Sequence, residues 1–231
     1  MKTKVLAAAL LAGAAVLATG PTLAQDASFD WTGGYAGLFG SGNRSDIGLV
    51  DVDDFFGSPS PIVDFSVDGW DFGGLAGYNF QRGNLVYGVE LSLAGGGAEG
   101  NLLLDKTELD ETLEWKVKSS ATLTARVGTT VGNTLFFGSA GVARSKVNYG
   151  YLNYEPDLVT ITDDARIDST FNGTVLGIGL EHAFSQRMIF RAEVLHSRYS
   201  GQMLDLVPLA GVRIRYSPTN TAVRVGLLFS F

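Results

Sequence analysis

The sequence contains no cysteine among its 231 residues. That absence excludes disulfide bonds, thiolate nucleophiles, cysteine-ligated zinc and lipid attachment at an N-terminal cysteine. Histidine is almost as scarce, with only His182 and His196. Basic charge is also short. Seventeen Lys and Arg stand against 24 Asp and Glu, a net charge of −7, so the basic stripe of a nucleic-acid binder is missing. After Gln25 there is neither a long 3.6-residue apolar stripe nor a run of 18 apolar residues, which leaves no candidate transmembrane helix there. Charged residues are few at 18% and hydrophobic residues make up 45%, too apolar a mixture for a disordered chain. Glycine is what the chain has in excess, 30 residues of 231, against a usual ~7%.

The N-terminus reads as an export signal. Lys2 and Lys4 precede an apolar stretch from Val5 to Gly20, and Pro21-Thr22-Leu23-Ala24 ends in a small-residue cleavage pattern. This is the layout of a secretory signal peptide over residues 1–24. The expected mature chain, 25–231, loses two lysines, so its charge moves from −7 to −9.

The rest of the chain alternates apolar and polar residues with period two, the pattern of half-buried strands. Eight strands are expected, near 31–42, 68–80, 85–95, 115–130, 135–149, 167–184, 188–199 and 218–231. Short connections at 81–84, 131–134 and 185–187 alternate with long polar stretches at 43–67, 96–114, 150–166 and 200–217. Short turns at one end and long loops at the other fit an eight-stranded antiparallel up-and-down transmembrane β-barrel.

Strand chemistry supports a polar interior and an apolar exterior. Leu85, Tyr87, Val89, Leu91 and Leu93 point away from Val86, Gly88, Glu90, Ser92 and Ala94. Val117, Ala121, Leu123, Ala125 and Val127 oppose Lys116, Lys118, Ser120, Thr122, Thr124 and Arg126. Strands near 31–42, 68–80 and 135–149 are too glycine-rich to phase. Six charges fall on inward faces within one or two layers of the short-turn end: Glu90, Arg126, Glu181, Arg191, Glu193 and Arg224. Three arginines balance three glutamates, and Arg binds carboxylate through paired hydrogen bonds. The six are expected to meet in the lumen as a structural charge network; the competing role is a gate. Phe231, Phe229, Tyr78, Phe80 and Phe184 are expected at the near membrane interface, and Trp70, Trp115, Tyr149 and Tyr199 at the far one.

Several segments resemble the small porin-like, OmpA-like outer-membrane β-barrel proteins of α-proteobacterial surfaces. They are Trp31-Thr32-Gly33-Gly34-Tyr35-Ala36-Gly37, Gly73–Phe80 with Gly88-Val89-Glu90, Gly177–Phe184 with Arg191-Ala192-Glu193, and the final Arg224–Phe231. Val194 departs from the aromatic that usually follows Glu193 in that family. The alternation of Val225, Leu227, Phe229 and Phe231 is similar to the C-terminal signal read by the barrel-assembly machinery. The resemblance implies an eight-stranded barrel in the outer membrane, without catalysis.

No catalytic, cofactor or metal site emerges from the residues themselves. His196 and Ser197 are adjacent and point to opposite faces, so they do not form the His-x-Ser pair of barrel deacylases. Asp51-Val52-Asp53-Asp54 lacks the Gly and distal Glu of a calcium loop. The expected partners are outer-membrane lipid and lipopolysaccharide, and no nucleic acid. The leading functional expectation is a surface-exposed, envelope-stabilising barrel that is not an enzyme. A small passive pore and a soluble periplasmic ligand-binding barrel are the alternatives.

Overall fold

The computed structural model describes residues 29–51, 61–103, 111–154, 161–205 and 213–231. The expected signal peptide lies outside these residues, as do 52–60, 104–110, 155–160 and 206–212 of the four expected loops. Every element is an antiparallel strand: β1 (Gly33–Asp51), β2 (Pro61–Arg82), β3 (Leu85–Leu103), β4 (Glu111–Val131), β5 (Thr134–Tyr154), β6 (Ile161–Ala183), β7 (Met188–Tyr199), β8 (Gln202–Asp205) and β9 (Arg213–Ser230). Each of β1 to β7 pairs with its neighbour in sequence, and β1 closes on β9 from Tyr35 opposite Ser230 to Asp51 opposite Ile214. Closure removes the free sheet edges that would otherwise expose unpaired backbone to lipid.

β7 and β8 are successive parts of one stave. Both pair with β9, with Arg198 opposite Thr219 and Gln202 opposite Tyr216, a one-residue slip across Ser200-Gly201. The barrel therefore has eight staves, as the alternation implies. This pairing also extends the last hairpin outward through Met203 and Arg215.

The staves are longer than the sequence pattern suggests. Apart from β7 and β8 they run 18 to 23 residues, where about 9–11 suffice to cross a bilayer. Much of 43–67, 96–114, 150–166 and 200–217, expected as loop, continues the ladder instead. Outside the membrane both faces of a strand meet water or polar lumen, so the apolar alternation fades while backbone pairing persists.

The tight ends carry the expected turns. Gly83 and Gly132 take φ of +62° and +58°, the left-handed backbone that a two-residue hairpin turn requires. At the third turn the Ser185 hydroxyl accepts hydrogen bonds from the Arg187 and Met188 amides.

The structure phases the three glycine-rich strands. Tyr35, Phe39, Ser41, Asn43 and Ser45 of β1 face inward, as do Leu75 and Asn79 of β2 and Leu135, Phe137 and Ser145 of β5. Leu38, Phe72, Phe136 and Val142 face out, Leu38 with 75% of its surface exposed. One phase is corrected. β4 carries a bulge between Val117 and Ser119 against β5, which inverts the faces beyond it. Lys116 and Lys118, expected inside, are exposed, and Val117 lines the interior. Trp115, expected in the lipid interface, is instead 3% exposed inside the barrel.

Candidate functional site: a layered, filled lumen

The lumen begins at the short-turn end with an apolar plug. Phe29 and Trp31 precede β1 and pack edge-to-face, 4.8 Å apart, against a cluster that includes Val86, Leu135, Ile189 and Leu228. Hydrogen bonds from the Phe29 amide to Asn133 Oδ1 (3.1 Å) and from the Trp31 amide to Gln81 Oε1 (2.8 Å) tie this segment to two different hairpin ends.

All six charges named from the sequence are buried together above the plug. Arg191, with no exposed surface, is the hub. Its Nη1 and Nη2 donate to the two Glu90 oxygens at 2.8 and 2.6 Å. Its Nε donates to Glu181 Oε1 at 2.7 Å, and Nη2 contacts the same oxygen. Arg126 Nη1 reaches Glu90 Oε2 at 3.3 Å, and its Nη2 lies 2.9 Å from Glu181 Oε1, out of hydrogen-bond alignment. Arg224 Nη1 donates to Glu193 Oε1 at 3.1 Å, and Glu193 is 3.8 Å from Arg191. Each carboxylate thus meets at least one guanidinium, which is the condition for burying charge at tolerable cost.

Aromatic residues that sequence reasoning missed complete this layer. The Tyr35 hydroxyl donates to Glu90 at 2.7 Å and accepts from Arg126 at 2.8 Å. Phe137 lies under the Arg126 guanidinium at 4.0 Å, and Phe39 under that of Arg224 at 3.8 Å, distances suited to cation–π attraction. The available signal was the four-residue spacing of Tyr35 and Phe39, the two aromatic residues of a segment (33–42) rich in glycine.

Neutral polar groups follow. Ser92 and Thr122 hydroxyls pair at 2.7 Å, and Ser41 bonds to Asp71. Ser45 donates to Asn220 at 3.0 Å, and Asn220 to Asn43 at 3.2 Å. A cavity of about 30 Å³ remains here, bordered by Asp71, Ser145 and Tyr199; that is room for about two waters. Tyr199, expected at the lipid interface, borders this interior cavity instead. Over it sits an aromatic lid: Trp115 stacks on Tyr216 at 6.0 Å and meets Phe171 at 5.7 Å, and Tyr149 meets Tyr216 at 5.9 Å.

Val225, Leu227, Phe229 and Phe231, the expected assembly signal, all face outward. His196 is exposed and bonds Thr221 at 3.0 Å, whereas Ser197 is buried inside. Among the described residues no group of three or more His, Asp and Glu side chains is placed to hold a metal ion.

Comparisons with known proteins agree with this geometry. The family model described as outer membrane protein beta-barrel domain matches residues 5–231. The chain is similar to the 31 kDa outer-membrane immunogenic protein of Brucella melitensis, 30% identical over the full length of both chains. It is similar to the 25 kDa outer-membrane immunogenic protein of Brucella abortus, 31% identical over 88% of this chain and 80% of the relative. A 22 kDa outer membrane protein of Rhizobium leguminosarum is 27% identical over 76% of this chain and 68% of its own. Among solved structures, the outer membrane protein OprG of Pseudomonas aeruginosa superposes with a TM-score of 0.52 at 14% identity, over 89% of this chain and 99% of OprG; that likeness concerns the fold.

Proposed function

Since the chain belongs to the outer membrane protein β-barrel domain family and its relatives are outer-membrane proteins, we propose that it is a non-conducting, non-catalytic barrel that stabilises the envelope and displays its long hairpins at the surface. The observation that carries this reading is the filling of the lumen. An apolar plug, six ion-paired charges, a polar layer and an aromatic lid succeed one another along the axis. Eight staves enclose an interior just wide enough for side chains, and here side chains occupy it. The six charges act in this reading as a structural network, and Val225, Leu227, Phe229 and Phe231 as the recognition surface for assembly. A soluble ligand-binding barrel needs an apolar interior under a polar exterior, the reverse of the arrangement of Leu91, Leu123, Ile178 and Leu227.

The remaining alternative is a passive pore. Purified protein in a planar bilayer is expected to give no discrete openings in molar potassium chloride. Reproducible single-channel steps would overturn the structural reading and favour the pore.

A further inference from the structure

The chain is acidic, yet one sector of its outer surface is basic. Arg144 and Lys146 of β5, Lys118 at the β4 bulge and Arg198 of β7 are all exposed on the outer face. Lys146 pairs opposite Ser119, next to Lys118, and Arg144 opposite Asn172; Arg198 stands opposite Thr174, two residues from Asn172 on β6. Arg144 and Arg198 are separated by one strand, about 12 Å given two interstrand spacings and the two-residue offset. Lys118 bonds Asp168 at 2.9 Å. Its ammonium, with the Asn148 amide, holds the Asp168 carboxyl below the ordinary aspartate range. Arg144, Lys146 and Arg198 form no ion pair among the described residues.

Their height is set by counting. Arg144 lies ten residues beyond Thr134, where β5 starts, and Arg198 ten beyond Met188, where β7 starts. At about 3.3 Å per residue and a tilt near 40°, ten residues climb about 25 Å, the height of the apolar band of such barrels. Directly below them the same faces carry Val142, Leu123 and Leu176, all lipid-exposed. At a comparable height β2 presents Trp70 and Phe72, and Arg44 on the outer face of β1 is held by Asp46 at 3.4 Å, so at this level the cations without an ion pair among the described residues lie on the β4–β7 side.

We infer that this sector is a binding surface for the phosphorylated headgroup of an outer-leaflet glycolipid, the lipid A part of lipopolysaccharide. The Arg144 and Arg198 guanidinium groups and the Lys146 ammonium, without an ion pair among the described residues, meet lipid phosphates at the rim of the apolar band while the acyl chains lie along the strands beneath. Arg suits this role because its planar fork binds two phosphate oxygens at once. The inference rests on the outer-membrane location, not on whether the lumen conducts.

The test reconstitutes the full-length mature protein in phosphatidylcholine vesicles containing bisphosphorylated lipid A, dephosphorylated lipid A, or neither. Melting is followed by heat-modified gel mobility. Phosphorylated lipid A is expected to raise the midpoint by roughly 5 °C over the dephosphorylated form, with the difference shrinking at high salt. The combined Arg144→Gln, Lys146→Gln and Arg198→Gln variant is expected to melt normally without lipid A and to lose most of that difference. Equal midpoints for the two lipids in the wild-type protein, or a full shift retained by the variant, would overturn the proposal. Millimolar inorganic phosphate giving the same shift would also overturn it, by showing a soluble-anion site. Any of these results leaves the conductance test of the lumen untouched.

Discussion

At the scale of the residue, the charge layer is held by mutual dependence. Glu90 receives Arg191 through both oxygens, Arg126 through one, and the Tyr35 hydroxyl. Glu90→Ala strands two buried guanidinium groups beside Glu181 and Glu193, leaving a positive excess where water is excluded. Removing one partner from a buried network costs about 3–5 kcal/mol. The variant is expected to reach the outer membrane and to unfold at clearly lower urea concentration in detergent, read as loss of the fast-migrating folded band. An unchanged midpoint would show that Glu90 contributes nothing by its pairing. These six charges were legible because each sits in a strand whose alternation fixes its face, at a countable distance from a turn. Their aromatic partners were not, because Gly34, Gly37 and Gly40 flank Tyr35 and Phe39 on both faces and erase the contrast that alternation needs.

At the scale of the element, inward-facing glycines give the interior its room. Gly77 and Gly74 lie three residues apart on β2 and face opposite ways. A Cβ on Gly77 would stand 2.4 Å from the Tyr35 hydroxyl, whereas one on Gly74 meets nothing nearer than 3.5 Å. Gly77→Ala is therefore expected to displace Tyr35 from Glu90 and to destabilise by about 1–3 kcal/mol, the usual effect of overpacking. Gly74→Ala should leave the urea midpoint almost unchanged. Equal midpoints for the two variants would contradict the inward phase of Gly77. The β4 bulge shows where strand reading fails. Period-two counting carries a face assignment only as far as the ladder is regular, and an extra residue inverts everything beyond it. Trp115 and Lys118 lie past that point, so the sequence pattern assigned the lid tryptophan to lipid and two surface cations to the lumen. The outward extensions were illegible for a different reason: pairing there depends on the adjacent strand, not on burial of one face.

At the scale of the whole molecule, the surface divides into stacked zones that fix how the barrel sits in a bilayer. The apolar band begins near the short turns, with Phe80, Phe136, Phe184 and Phe229 facing out. It ends where Trp70, Arg144 and Arg198 appear. The strands continue past this level, so their length says little about membrane thickness; the distance between aromatic rim and basic rim decides it. That distance, about 25 Å, is a few ångströms less than an average hydrocarbon core of ~30 Å. A thicker bilayer would cover Arg144 and Arg198 with hydrocarbon or thin locally around them, and a thinner one would expose Val142 and Leu176 to water. Stability should consequently peak in phosphatidylcholine vesicles whose hydrocarbon core is near 25 Å and fall on either side. Gel-shift melting across a series of saturated chain lengths reads this directly. Replacing Arg144 and Arg198 by Leu extends the band upward and should move the peak to longer chains. A peak that stays in place would show that these residues do not mark the membrane edge.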